Sequence, residues 1–278
     1  MHKLDGKVAL VTGNSRGIGP YISRTLSREG VTIVGVARSA EGLERTEVDI
    51  RAQGGKCYSL PFDLTQLNDL PDLVERATSV AGEIDILINN AALESYKYYV
   101  NNDREDVSSI LKLNLRVPME LSRLMLPTMQ ERGGHIVNVA SLAGKKGIIF
   151  NSIYSASKSG LITWTDAMDQ ELRGTGVGIS VICPGYVRGV GMFANSHLEA
   201  PRLLGTSSPQ SVADAVLKAI KEEKSEIIVN PGPIKPLLAL GQLISSSFAY
   251  KIVRWFGIVE MNKKRVAMQE KLERRDDG

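Results

Sequence analysis

Cysteine is scarce in this chain of 278 residues: only Cys57 and Cys183 occur, far apart and unable to make a disulfide framework. Both sit in apolar, strand-like runs, which reads as buried free thiols in a reducing compartment. The three histidines, His2, His135 and His197, have no ligand spacing, so no metal site is expected. Charge of one sign is not in excess either. A net charge of +3 argues against a general nucleic-acid surface. The opening Met1-His2-Lys3-Leu4-Asp5-Gly6-Lys7 lacks the apolar core of a signal peptide, and a cytoplasmic location is expected. No internal repeat or low-complexity segment is present.

What the chain does have is alternation. With 43% hydrophobic residues it is long enough for one large α/β domain. Short apolar runs rich in β-branched residues predict strands near 7–12, 31–36, 56–62, 84–88, 134–139, 177–183 and 226–229. Helical patterns lie between them, including 41–53, 70–81, 104–132, 154–173 and 209–222. Strands alternating with helices predict a doubly wound parallel sheet of about seven strands, with helices on both faces and right-handed crossovers.

Three local features carry chemistry. The first strand runs into Gly13-Asn14-Ser15-Arg16-Gly17-Ile18-Gly19 and then a helix. Glycines let the backbone turn sharply and approach a pyrophosphate, and the helix N-terminus favours the anion. The spacing is G-x-x-x-G-x-G, not the common G-x-G-x-x-G. Second, the strand ending at Ala37-Arg38 has no acidic residue where an NAD enzyme usually binds the ribose hydroxyls. The Arg38 guanidinium suits a 2′-phosphate, and Arg16 offers a second cation, so NADP(H) is expected over NAD(H). Third, Tyr154 and Lys158 stand four residues apart in a helical pattern and share one face. An ammonium beside a phenol favours the phenolate, lowers the tyrosine pKa and makes an acid/base useful near neutral pH. By itself such a pair is more often a surface coincidence.

Together the residues resemble the short-chain dehydrogenase/reductase family. The marks are Thr12-Gly13-Asn14-Ser15-Arg16-Gly17-Ile18-Gly19, Asp63, Asn89-Asn90-Ala91, Asn114, Ser141, Tyr154-x-x-x-Lys158 and Pro184-Gly185, in the family's order over roughly residues 5–230. Ser141 precedes Tyr154 by 13 residues, a separation typical of the family.

The resemblance implies a Rossmann fold and a catalytic set of Asn114, Ser141, Tyr154 and Lys158. Tyr154 would be the acid in reduction and the base in oxidation. Lys158 would tune it and hold the nicotinamide ribose. Ser141 would bond the substrate oxygen, and Asn114 would hold a water linking Lys158 to solvent. The implied cofactor set is Gly13, Ser15, Arg16, Gly17, Ile18, Gly19, Arg38, Asp63, Leu64, Asn90, Ala91, Tyr154, Lys158, Pro184, Gly185 and Val187, with Asp63 on the adenine amine and Asn89 bordering the cofactor. Two positions depart from the pattern. The usual Asn-Asn-Ala-Gly ends in Ala92, and a threonine often found four residues after the glycine is replaced by Gly189.

The expected activity is hydride transfer between NADP(H) and a ketone or secondary alcohol, with 3-oxoacyl thioesters, ketosteroids and other ketones as open substrate classes. The alternatives are an NAD-dependent alcohol or hydroxysteroid dehydrogenase and a non-catalytic cofactor-binding regulator. The resemblance also implies a homodimer or homotetramer built on helix faces. Residues 1–232 are expected to form the Rossmann domain. Residues 233–278 are expected to form an extension, apolar and then basic and helical. Pro236 to Tyr250 holds no charged residue over 15 positions, short of the ~20 of a membrane span. Lys263, Lys264, Arg265, Lys271, Arg274 and Arg275 follow. Packing on the domain or a partner subunit, a wall of the substrate pocket, and a peripheral membrane contact with Trp255 at the interface all stay open for this extension.

Overall fold

The computed structural model describes residues 3–194, 198–200, 205–231, 254 and 257–276, with side chains to 271. The uncharged run from Pro236 to Tyr250 and Trp255 lies outside the described residues. Seven strands form one parallel sheet: β1 (Val8–Thr12), β2 (Thr32–Ala37), β3 (Cys57–Pro61), β4 (Ile86–Asn89), β5 (Gly134–Val139), β6 (Val177–Pro184) and β7 (Glu226–Val229). Their spatial order is β3-β2-β1-β4-β5-β6-β7. The order reverses between β1 and β4, and that crevice is where doubly wound sheets bind ligands.

The helices are α1 (Gly19–Arg28), α2 (Ala40–Ala52), α3 (Leu70–Ala81), α4 (Arg104–Leu111), α5 (Val117–Arg132), α6 (Ser152–Glu171), the single turn α7 (Gly191–Ala194), α8 (Pro209–Glu222) and α9 (Ile258–Asp276). The continuous helix predicted over 104–132 is interrupted. Lys112–Arg116 form a wide π-turn between α4 and α5, with Asn114 inside it. Such turns skip a backbone bond and are frequent at functional sites. The loop predicted over 186–208 contains α7 and an isolated bridge between Val187 and Ser207.

Side-chain alternation along the strands builds two cores, one per face. Ala9 and Val11 of β1 join Ile33, Ile86, Ile88 and Val137 beneath α1 and α8, whose Ile22, Leu26, Val212, Val216 and Ile220 cover them. Val8 and Leu10 point the other way and join Val34, Leu87 and Ile136 beneath α3 and α5, capped by Leu70, Leu73, Leu121 and Met125. Each fully buried aliphatic side chain contributes about 1.5–3 kcal/mol relative to exposure. Strands buried on both faces read as the near-continuous apolar runs seen in the sequence.

A histidine in the sheet ties its stability to pH. His135 on β5 is 2% exposed, and its Nε2 shares a 2.7 Å hydrogen bond with Ser180 Oγ on β6. Burial holds its pKa down to about 4, so the folded protein keeps the imidazole neutral where the unfolded chain protonates it. The unfolded state then binds more protons between the ordinary histidine value of 6.5 and about 4. The stabilisation is complete above that window and is lost as pH falls through it. Urea unfolding is expected to show a loss on the order of 3 kcal/mol from this group on acidification. A His135→Gln variant should show a correspondingly shallower slope, and an unchanged slope would refute the assignment.

Candidate active site

The glycine-rich turn joins β1 to α1 in a shape only small residues permit. Gly13 and Gly17 have φ of +71°, and a Cβ on Gly19 would lie 2.2 Å from the Gly13 carbonyl oxygen. The turn is tied to β4 next door. Thr12 Oγ1 accepts the Asn90 and Ala91 N–H groups at 2.9 and 3.0 Å, and Asn90 Nδ2 donates to Thr12 O at 3.0 Å. Asn90 and Ala91 therefore hold the turn in place. The α1 N-terminus has no side-chain cap, and Pro20 stands in its first turn. Uncapped N–H groups behind a close-approach turn fit a pyrophosphate.

Around the crevice, Ser15 and Ile18 are half-buried and Arg16 is exposed beside them. Arg38, exposed just past β2, faces Asp63 after β3. Burial alone would raise the Asp63 carboxyl. The Thr65 N–H and hydroxyl, at 3.0 and 2.9 Å, with the charges of Arg38 and Lys112, outweigh it and hold the group below the ordinary carboxylate value. Leu64 is buried next to it in the core, which makes it a packing residue at this point. Asn89 does not border the crevice through its side chain. It is 1% exposed, and its Nδ2 donates to Asn138 Oδ1 at 2.8 Å inside the sheet.

Helix α6 settles the question of the tyrosine–lysine pair. Tyr154 is 7% exposed and Lys158 2%, so both lie on the buried face and are not a surface coincidence. Lys158 Nζ donates to Val139 O at 2.8 Å at the end of β5. Its other two N–H donors have no protein partner among the described residues, so a ribose hydroxyl fits there. Burial lowers the Lys158 pKa to about 8. Ser141 is close enough to Tyr154 to act on its hydroxyl. Ser141 Oγ also accepts the Ala143 N–H at 3.1 Å and opens the single 3₁₀ turn Leu142–Gly144. That turn can press on α6 because residue 144 is glycine: a Cβ there would lie 2.6 Å from the Lys158 backbone.

The phenol does not respond as the sequence predicts. Burial raises the Tyr154 pKa above its ordinary value, and the Glu94 charge adds to this. Ser141 and Arg265 act the other way without prevailing. Lys158 is committed to Val139 O, with Nζ 5.8 Å from the Tyr154 ring centroid, and is too far to offset desolvation. Tyr154 is thereby held protonated.

Asn114 is fully buried, and its amide is largely spent. Oδ1 accepts the Leu93 N–H at 2.8 Å, while Nδ2 donates to Leu93 O at 2.8 Å and to Ser157 Oγ at 3.0 Å. The side chain thus clamps the segment after β4 to the middle of the Tyr-Ser-Ala-Ser-Lys motif. A water relay at Asn114 has only one Oδ1 acceptor site or the backbone of the π-turn left to use. At the far side, Pro184 ends β6. Gly185 passes so close to Asn230 that a Cβ would lie 2.2 Å from its Oδ1. Gly189 has φ +79°, a conformation a threonine adopts only under strain, which accounts for the departure from the family pattern. Val187 is buried, with Arg188 N donating to Ser207 O at 3.0 Å beside it. An open cleft of about 590 Å³ lies outside this loop, lined by Arg188, Gly189, Phe193, Ala194, Leu198 and Thr206 among others.

The structure adds residues that sequence reasoning passed over. Glu94 and Tyr96 follow β4 and act electrostatically on Tyr154, as does Arg265 from α9. Arg265 is one of the cations that make the tail basic, but it is 6% exposed and faces inward. Only the inward spacing of Ile258, Met261, Arg265 and Val266 hints at this.

Residues 7–200 match the family model described as short chain dehydrogenase. The chain belongs to the short-chain dehydrogenase family. It is 52% identical over 271 residues to the ketoacyl reductase HetN of a Nostoc species, covering 95% of this chain and 94% of the relative. It is 31% identical over 260 residues to a Drosophila melanogaster dehydrogenase/reductase SDR family protein 7-like, covering 89% and 79%. A variant of actinorhodin polyketide ketoreductase with NADPH superposes with a TM-score of 0.75 at 28% identity, covering 84% of this chain and 98% of that one. A metagenomic short-chain oxidoreductase in complex with NADP gives 0.71 at 30% identity, covering 82% and 98%. The protein is an oxidoreductase of a family that uses nicotinamide cofactors and acts on small-molecule carbonyl or CH–OH groups.

The Asn114 clamp generates a structural prediction. Asn114→Ala removes three bonds from buried partners and should lower stability by about 2–3 kcal/mol in urea unfolding. Amide exchange should accelerate at Leu93. An unperturbed Leu93 amide would contradict the clamp.

Proposed function

We propose that the protein is an NADP(H)-dependent ketone reductase, with 3-oxoacyl thioesters as the substrate class and alcohol oxidation as the reverse reaction. The observation that carries this reading is the buried Tyr154 and Lys158, one helical turn apart, with Lys158 fixed to the carboxyl end of β5 and Ser141 close to the phenol. A carbonyl being reduced needs a proton donor at its oxygen, and a phenol held in the acid form is one. The 52% identity to a ketoacyl reductase favours the thioester class. The NADP and NADPH complexes among the structural neighbours favour the phosphorylated cofactor.

In this reading a bound nicotinamide supplies the hydride, or takes it in the reverse direction. Gly13, Gly17 and Gly19 let the backbone approach its pyrophosphate, and the α1 N-terminus offers the anion N–H groups. Arg16 and Arg38 hold the 2′-phosphate, with no carboxylate at Ala37 to repel it. Asp63, held ionised, accepts from the adenine amine. Pro184, Gly185 and the Val187 backbone border the nicotinamide. Lys158 bonds the ribose with its two spare donors and replenishes the Tyr154 proton. Ser141 donates to the substrate oxygen and aligns it with the Tyr154 hydroxyl, which gives up its proton as negative charge develops there.

The same proposal takes residues 1–232 as the Rossmann domain and 233–278 as an extension against its active-site edge. It places the enzyme in the cytoplasm, in keeping with two buried free thiols. It expects a homodimer or homotetramer, as members of the family often form. No helix among the described residues is long and apolar enough to cross a membrane. A peripheral membrane contact would rest on residues outside those described.

Two outcomes test the reading. With NADPH and a panel of 3-oxoacyl thioesters and ketones, the protein should oxidise the cofactor, and Tyr154→Phe should lose at least about 100-fold in kcat. Comparable turnover in that variant would overturn the mechanism. Arg38→Ala should weaken NADP(H) binding by about tenfold, roughly the value of one charge-assisted bond, and leave NAD(H) unchanged. Equal affinity of the unmodified protein for both cofactors would refute the preference.

A further inference from the structure

The segment Leu93–Lys97 leaves β4 toward Tyr154 and is gripped from two sides. Asn114 holds Leu93, as described. From the other side α9 brings Arg265 Nη2 to Glu94 Oε1 at 2.7 Å, with the two side chains only 6% and 16% exposed. The Arg265 guanidinium also stacks 3.6 Å from the Tyr96 ring centroid and lies 5.7 Å from that of Phe193, next to the cleft. One helical turn on, Gln269 Oε1 accepts the Tyr96 N–H at 2.7 Å, and its Nε2 reaches Ser95 Oγ at 3.4 Å. Glu94 takes a second, longer bond from Asn151 Nδ2 at 3.4 Å, at the start of the helix that carries Tyr154.

A desolvated ion pair holding a segment beside a proton donor does more than pack. Losing one partner leaves an uncompensated buried charge, whose field acts at short range through a medium of low dielectric. We infer that Arg265 is a positioning residue for the reaction, fixing residues 93–97 and cancelling the Glu94 charge beside Tyr154. This inference rests on the reductase reading above. The titratable and charged groups facing Tyr154 are Glu94 and Tyr96 after β4, Arg265 on α9, and Lys158 on its own helix. Tyr186 after β6 faces Tyr96 and Arg265 in turn.

The two charges predict opposite shifts. Glu94→Gln leaves Arg265 positive beside Tyr154 and favours the phenolate. Arg265→Leu leaves Glu94 uncompensated; burial raises that carboxyl, and where it ionises, at the alkaline pH of the limb, it disfavours the phenolate. In the alcohol-oxidation direction with NADP, the full chain should gain activity as pH rises and the phenol ionises. Glu94→Gln should move that limb to lower pH, and Arg265→Leu to higher pH, each by about one pH unit. Below the limb, Arg265→Leu should lose about tenfold in kcat with the KM for NADP unchanged. The double variant should return the limb to its original place. A purely structural role would cost activity without moving the limb in opposite directions. If Arg265→Leu does not fold, Glu94→Gln and the double variant, which bury no lone carboxylate, carry the test. A limb unmoved in Glu94→Gln, or left displaced in the double variant, overturns the inference. Amide exchange tests the docking without turnover: Arg265→Leu or the double variant should speed exchange at Tyr96, and an unchanged rate there overturns it. Failure of the unmodified protein to turn over any ketone would instead sink the reductase reading.

Discussion

Burying the Lys158 ammonium to 2% exposure is the constraint on which the rest of the site depends. A buried charge costs several kcal/mol unless it is bonded and paired. Here one donor meets the Val139 carbonyl, and the other two are unmet by protein among the described residues. Helix α6 tolerates this because it is anchored by apolar residues such as Leu161 and Ile162, and by the close passage of Gly144. The same burial that strips water from Lys158 strips it from Tyr154. The pair therefore carries opposite shifts: the ammonium is made easier to deprotonate and the phenol harder. A proton therefore passes downhill from the ammonium to a phenolate, the direction that restores the donor after each reduction.

The sheet was legible in the sequence because its signals are local. β7 occurs over Glu226–Val229, as its apolar run predicts, and α3 and α8 span the predicted 70–81 and 209–222. The glycine turn was legible for the same reason, since Gly13 and Gly17 need left-handed backbone and Gly19 needs an absent Cβ. Asn114 was visible as an odd residue in an apolar helix. Its clamp on Leu93 was not, because the π-turn that aims it depends on packing against α6.

What stayed hidden is long-range electrostatics. Glu94 and Arg265 are separated by 171 positions, and each looks like one more charge among 31 acidic and 34 basic residues. Only folding reveals that Arg265 lies on the inward face of α9 while Lys263 and Lys264 face solvent. The direction of the Tyr154 shift was misjudged for a related reason. Spacing on a helix shows that a cation is near, but not how much water both groups lose or which carbonyl claims the cation. Asn89 is a similar case: a motif residue whose side chain serves the sheet through Asn138.

The central claim is that Lys158 serves cofactor and proton donor together, and binding measured against pH tests it most directly. NADPH affinity, followed by fluorescence titration, should fall as pH rises through about 8, where the Lys158 ammonium gives up its proton. Lys158→Met should bind more weakly and show no such fall. Equal affinity in the two proteins, with the same dependence on pH, would contradict the account.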